Sequence, residues 1–242
     1  MSKGTRICMI MALSFIVVGG MIFMGVMQKL KWDFTKLSTV KYETNEYEIQ
    51  EEYDNISILT NTGDVEVMMS QDNNTKVICR EQVKVKHAVT VNKNTLEIKV
   101  EDSRKWYEHI EIAFGNSKIT VYLPQEQYEK LSVKSNTGDT FVEQVSAKII
   151  HIEGTTGNVS LKNVIAKEKI SIKIGTGDVI FDASDAQDIS VKTSTGNVKG
   201  TLLSDKIYLV ETNTGKIDVP KTTTGGVCEI TTSTGDIKIR VK

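Results

Sequence analysis

The 242-residue chain carries 30 Lys+Arg against 31 Asp+Glu, with three Cys, three His and two Pro. A net charge near zero argues against a nucleic-acid partner, two prolines exclude a Pro-rich stalk, and three cysteines cannot form a disulfide framework. With 25% charged and 39% hydrophobic residues the composition is that of a folded protein, so the distribution of the hydrophobic residues carries the information.

Residues 7–27 contain no charge; their polar content is Ser14 and three glycines. Twenty-one residues at about 1.5 Å each match a hydrocarbon core of about 30 Å. Lys3 and Arg6 precede the run, and Lys29, Lys31 and Trp32 follow it, as at a membrane interface. The rival is a cleaved signal peptide, but its apolar core is usually shorter and ends in a small-residue site, which is missing here. Cys8 opens the run instead of following it, against a lipoprotein site. The expected organisation is a cytoplasmic tail at 1–6, a membrane helix at 7–27 and a juxtamembrane connector at 28–52, with all that follows outside the membrane. Charge bias across the helix is weak. Beyond residue 31 the chain has 26 basic and 31 acidic residues, a mild acidity that suits an exported domain.

Residues 70–130 read as strands at 76–86, 95–101, 109–113 and 118–123, with turns at Asn92-Lys93-Asn94 and Gly115-Asn116. They lack the pattern that dominates the rest, and wider or degenerate coils are expected there.

That pattern is Thr-Gly-(Asp/Asn/Lys), which occurs seven times, at Gly63, Gly138, Gly157, Gly177, Gly196, Gly215 and Gly235. The last six are spaced 19, 20, 19, 19 and 20. Seven residues before each glycine stand Ile56, Leu131, Ile150, Ile170, Ile189, Tyr208 and Cys228; five before stand Ile58, Val133, Ile152, Ile172, Val191, Val210 and Ile230. Two after stand Val65, Thr140, Val159, Val179, Val198, Ile217 and Ile237. Period-two alternation of β-branched residues means strand. The alternation shifts parity across the glycine, so the chain turns there, where Gly takes positive φ and Asp or Asn tolerates the turn. Recurrence of one residue type at each register favours parallel coils stacked in ladders: an all-β, parallel β-helix-like solenoid of 19–20-residue coils over 53–242, irregular at 53–130 and regular at 131–242. A β-sandwich or hairpin array is the alternative. At this coil length roughly 190 residues make about ten coils, near 50 Å at about 4.8 Å per rung.

The segments Tyr53-Asp54-Asn55-Ile56-Ser57-Ile58 before Thr62-Gly63-Asp64-Val65, and Ile119-Thr120-Val121-Tyr122-Leu123-Pro124 before Leu131-Ser132-Val133, resemble the "putative adhesin" β-strand-repeat family, domain of unknown function 4097. The resemblance spans about residues 40–242. It implies a bacterial, often membrane-anchored β-solenoid linked to the cell envelope, and it brings no catalytic residues.

Six features invite chemistry or binding. The residues after the glycines, Asp64, Asp139, Asn158, Asp178, Asn197, Lys216 and Asp236, look like a calcium ladder, but calcium wants six to eight oxygens, each coil offers one carboxylate at most, and Lys216 breaks the row. Thr-x-Thr pairs such as Thr60/Thr62 and Thr232/Thr234 resemble ice-binding arrays, yet parity places them on the inner face, bonding turn amides. His87, His109 and His151 are scattered, and no acid pair recurs at an outward register, against a polysaccharide-cleaving enzyme. Cys228, in a core slot, reads as a buried free thiol, with Cys79 too far along a linear stack to bridge it. Trp106-Tyr107 reads as packing or a ligand edge. The carboxy-terminal strand is expected to leave an open edge, guarded by Lys238, Arg240 and Lys242 or completed by a partner strand.

The expectation is therefore a single-pass bacterial cell-membrane protein with an extracytoplasmic, non-enzymatic, adhesin-like interaction scaffold. Its partners would be the membrane and a cell-wall polymer or envelope protein. No catalytic, cofactor or metal residue is assigned. Alternatives are an accessory or sensor in envelope-stress signalling and a carbohydrate-active enzyme.

Overall fold

The computed structural model describes residues 2–38, 40–105 and 115–242. The strand expected at 109–113 and the pair Trp106-Tyr107 lie outside the described residues. Two compact units emerge, one of residues 1–41 with 105–115, the other of 42–104 with 116–242. In the first, α1 (Lys3–Lys29) exposes its Ile, Leu, Phe and Met side chains, buried Met27 excepted, and has a mean hydropathy of 2.6 over its best window, enough by length and composition to cross a membrane. Ser2 caps it, its Oγ accepting the Thr5 amide.

The second unit is all β: β1 (Tyr42–Ile49), β2 (Asn55–Thr62), β3 (Asp64–Met69), β4 (Thr75–Gln82), β5 (Val85–Asn92), β6 (Thr95–Asp102), β7 (Lys118–Leu123), β8 (Gln127–Thr137), β9 (Thr140–Glu143), β10 (Ser146–Thr156), β11 (Val159–Lys162), β12 (Ile165–Thr176), β13 (Val179–Asp182), β14 (Asp185–Thr195), β15 (Val198–Leu202), β16 (Lys206–Thr214), β17 (Ile217–Asp218), β18 (Gly226–Thr234) and β19 (Ile237–Val241). A long strand, the glycine corner and a short strand make one rung. Rungs stack in parallel, with Leu131 beside Ile150, Ile150 beside Ile170 and Ile170 beside Ile189, offsets of 19, 20 and 19 residues. The odd residue has a visible home. Between Ala147 and Ile149 lies Lys148 alone; the matching gap in the next rung holds Lys167 and Glu168. A bulge absorbs the extra residue outside the core, so every inward side chain keeps its register.

That register builds one apolar column. Ile150, Ile152, Val159 and Leu161 fill one rung, Ile170, Ile172, Val179 and Phe181 the next, all essentially inaccessible to solvent. Each such side chain contributes about 1.5–3 kcal/mol. Phe181, the largest residue four past a glycine, pairs with Gly200, the smallest. On the outside, ion pairs cross between rungs, as in Lys148–Glu129 at 2.5 Å and Lys162–Glu143 at 2.7 Å; their exposure limits each to about 0.2–1 kcal/mol.

The stack does not follow chain order, contrary to the linear coil expected. In space the rungs run β6/β7, β2/β3, β8/β9, β10/β11, β12/β13, β14/β15, β18/β19, β16/β17. The first and the last rung of the sequence are thus both held one place in from an end. At the carboxy-terminal exchange, Lys206 Nζ reaches past Gly226 to Asp185 at 2.8 Å, a buried ion pair braced by Ser204. A Cβ on Gly226 would lie 1.6 Å from the Gln187 carbonyl oxygen, so only glycine fits between the two flanking rungs. The ion pair therefore clips the outer rung to the one beyond the inserted strand.

Eight such rungs form among the described residues, not ten, because the remaining strands run antiparallel and close one end. β4 pairs with β7, β1 pairs with β4 along its whole length, and β5 pairs with β6. β1 lies inside the segment expected to be a connector. The strand expected at 76–86 is instead β4, a two-residue turn and the start of β5. The β5–β6 turn is Lys93-Asn94, both at positive φ, as a two-residue hairpin requires.

Two outcomes test this order. Ile237→Asp, at a fully buried interior rung, should cost more than about 4 kcal/mol, whereas Ile217→Asp, on the half-exposed outer rung, should stay within about 1 kcal/mol in denaturant unfolding. Stacking in chain order demands the reverse ranking.

Candidate interaction surface

The corner is the repeated feature from which any surface site must be built. Its glycines have φ between 133° and 157°. A Cβ on Gly157 would sit 2.0 Å from the Gly138 carbonyl oxygen, and the same clash of 1.8–2.1 Å recurs at Gly138, Gly177, Gly196, Gly235 and Gly215. The backbone is so close at the corner that no side chain can enter.

The residue after each glycine completes the corner. Asp64 Oδ1 accepts the Asp139 amide, Asp139 the Asn158 amide, Asn158 the Asp178 amide, Asp178 the Asn197 amide, Asn197 the Asp236 amide and Asp236 the Lys216 amide, at 2.7–2.9 Å. Asn158 Nδ2 and Asn197 Nδ2 also donate to the preceding aspartates, at 3.2 and 3.1 Å. The row is a hydrogen-bonded ladder whose acceptors are committed to the backbone. Lys216 does not break it. It stands on the outermost rung, where no further amide has to be met.

The threonines divide. Those three residues before the glycine, Thr60, Thr193 and Thr232, are buried as expected, but Thr62, Thr137, Thr156, Thr176, Thr195, Thr234 and Thr214, directly before it, are exposed. The inner face ends two residues sooner than parity implies, because the chain already bends into the corner. Thr212 and Thr232 hydroxyls donate to the carbonyls of Gly235 and Gly196, not to turn amides. The exposed threonines form a single file along the corner, not a two-dimensional array.

His151 is half-buried on the outer face; Cys79 and Cys228 are both buried free thiols. Burial pushes the Cys228 thiol up to about 12, that of an inert core group. A groove of about 630 Å³ is lined by Met68, Met69, Asp72, Lys76 and Glu143 among others. Ser70 Oγ and the Asn74 amide hold the Asp72 carboxyl below its usual range, the wrong direction for a general acid.

The open strand edge is the distinctive surface, and sequence reading put it on the wrong strand. β19 lies between β15 and β17, so the free edge belongs to β16. Outward positions of interior rungs are polar, such as Ser171 and Lys173 or Ser190 and Lys192. On β16 the positions in the same register are Leu209, 56% exposed, and Glu211, preceded on that face by exposed Ile207 beside Val227. Inward Tyr208, Val210 and Val219 are only partly covered. Ahead of Glu211 this edge strand is apolar on both faces, where an edge usually carries more charge; β1, which pairs only with β4, carries Glu43, Glu46 and Glu48. Chain order predicts β19; only the exchanged order reveals β16.

The sequence profile of the family described as Toastrack DUF4097 matches residues 53–242. Two solved structures are similar. One, described as a putative cell adhesion protein from Clostridium sporogenes, has 12% identity over 84% of this chain and 100% of its own, at a TM-score of 0.54. The other, described as a putative adhesin from Bacteroides fragilis, has 15% identity over 83% of this chain and 97% of its own, at 0.50. At such identity the likeness is one of fold. No curated protein matches the chain.

Gly157→Ala should lower stability by roughly 2–4 kcal/mol, while Gly19→Ala, which meets nothing within 4 Å, should leave thermal unfolding of the domain unchanged. Asn158→Ala should cost about 1 kcal/mol, and millimolar calcium should not raise the melting temperature of the unaltered chain. A calcium-dependent rise would reassign the ladder.

Proposed function

The chain belongs to the Toastrack DUF4097 family, and from that premise we propose that it is a non-enzymatic, membrane-anchored envelope protein whose 19–20-residue coils form an adhesin-like interaction scaffold outside the membrane. Several features support the reading. The apolar α1 has the length of a membrane span and precedes the β unit. The corner ladder spends its carboxylates and amides on backbone hydrogen bonds. The adhesin descriptions of the two similar structures point the same way.

The observation that carries the proposal is the asymmetry of the stack. Three antiparallel strands close the end at which the chain enters it, whereas the far end stops at β16, with apolar side chains on both faces ahead of Glu211 and a row of unpaired backbone groups. An extended segment of an envelope protein would complete that edge by strand addition, its backbone bonding β16 and its side chains covering Leu209 outside and Tyr208 inside. Cell-wall polymer binding would instead use the polar outer faces.

The test is a photo-crosslinking residue placed at Leu209 or at the outward Lys173 of the full chain in living cells. Crosslinks to an envelope protein from position 209, and few from 173, are expected. Equal labelling, or labelling of glycan alone, counts against the edge. Hydrolysis of cell-wall glycans by the purified chain would overturn the non-enzymatic reading. Protease digestion of intact cells should remove the β unit; protection would overturn its placement outside.

A further inference from the structure

Besides the Lys206–Asp185 pair near the other end, ionisable groups gather in the interior at the capped end. β4 turns Thr75, Val77, Cys79 and Glu81 inward, and β5 adds His87 from the other side of the hairpin. Cys79 and Glu81 are completely buried and His87 is 4% exposed. Glu81 Oε2 lies 2.7 Å from His87 Nδ1 and accepts the His87 backbone amide at 2.6 Å; Glu81 Oε1 accepts Asn45 Nδ2 at 2.8 Å. His87 Nε2 meets Thr60 Oγ1 at 3.1 Å. The sulfur, a carboxylate oxygen and a ring nitrogen all lie within 4.8 Å of one another.

We propose that Cys79, Glu81 and His87 form a buried site for a borderline-soft divalent transition metal of the zinc class. A thiolate, an imidazole and one carboxylate are the donors such an ion prefers, whereas calcium or magnesium would need oxygens that this pocket lacks. Tetrahedral coordination at about 2.0–2.3 Å per ligand needs donor separations of about 3.3–3.7 Å, so the sulfur, within 4.8 Å of the other two donors, must close in by at most about 1.5 Å and Glu81 must part from His87, now at 2.7 Å, by about 1 Å or less. The supporting groups are already placed. With Nδ1 on the ion, the Nε2 proton donates to Thr60 Oγ1, and Asn45 holds the second carboxylate oxygen, the outer contacts that orient metal ligands. The fourth position takes an oxygen, and the Tyr47 hydroxyl, bonded to the His87 carbonyl, stands beside the site.

Burial pushes the free Cys79 thiol up to about 12, so the thiol enters the reaction protonated. Binding breaks the Cys79 S–H bond and the His87 Nδ1–H bond that faces Glu81, and forms the metal–sulfur and metal–nitrogen bonds; the thiol proton leaves to solvent, the neutral ring changes tautomer so that its proton sits on Nε2, and no redox partner is involved. The ion would tie the β4–β5 hairpin to β2 through Thr60, closing the end of the column that faces the chain entry.

The experiment equilibrates the full chain in detergent with zinc or cobalt(II), removes free ion by gel filtration and counts bound metal. About one ion per chain is expected, with a thiolate-to-cobalt charge-transfer band and a higher melting temperature. Cys79→Ser and His87→Gln should lose ion and band, while Cys228→Ser, at the other buried thiol, should keep both. Less than about a tenth of an ion per unaltered chain overturns the site whatever the variants do, as does full retention by Cys79→Ser. This outcome is independent of whether β16 binds a partner.

Discussion

The corner glycine is where backbone meets backbone. A carbonyl of one rung lies where the next rung's Cβ would be, and the Asp or Asn that follows reaches along the stack to take the neighbouring amide. These two contacts fix the rung spacing at the point where the chain bends most sharply. Everything inward follows: with corners superposed, the residues seven and five before and two and four after the glycine stack on their own kind, and the apolar column fills itself. A side chain at the corner would separate adjacent rungs along their whole length, not only locally.

Stacking of near-identical rungs has a weakness, since any rung could in principle pair with any other. The chain answers with non-repeated residues. Gly225-Gly226 let the last rung slide between two earlier ones, and the buried pair Lys206–Asp185 straddles it. At the other end the first rung is enclosed by β6/β7 and β8/β9. The first and the last rung of the sequence are therefore interior, so the stack is complete only when distant segments have met. Such non-local pairing slows folding and protects the finished fold against fraying from its ends.

The two ends are treated differently. One is sealed by antiparallel strands whose inward face changes from Ile and Val to Cys, Glu and His. The other keeps an edge strand that is apolar on both faces ahead of Glu211. A scaffold that had only to be stable would gain from closing both.

Much of the fold was legible in the sequence, because a period of 19–20 with Gly at one register and β-branched residues at fixed offsets is a local pattern repeated seven times. The apolar helix, the strands around each corner and the burial of Cys228 follow from composition and periodicity. The antiparallel cap was not legible, since β1, β4 and β5 carry no repeat and β1 and β4 find their partners more than 25 residues along the chain. Nor was the Cys79–Glu81–His87 cluster, whose spacing matches no metal motif and whose members converge only when the β4–β5 hairpin folds over Thr60. The sequence by itself determined what a rung is, because that depends on residues a few positions apart. The order of the rungs, the strand left open and the ends of the inner face were decided only by the tertiary structure. Equivalent rungs present equivalent edges, and only contacts between remote residues such as Lys206 and Asp185 choose among them.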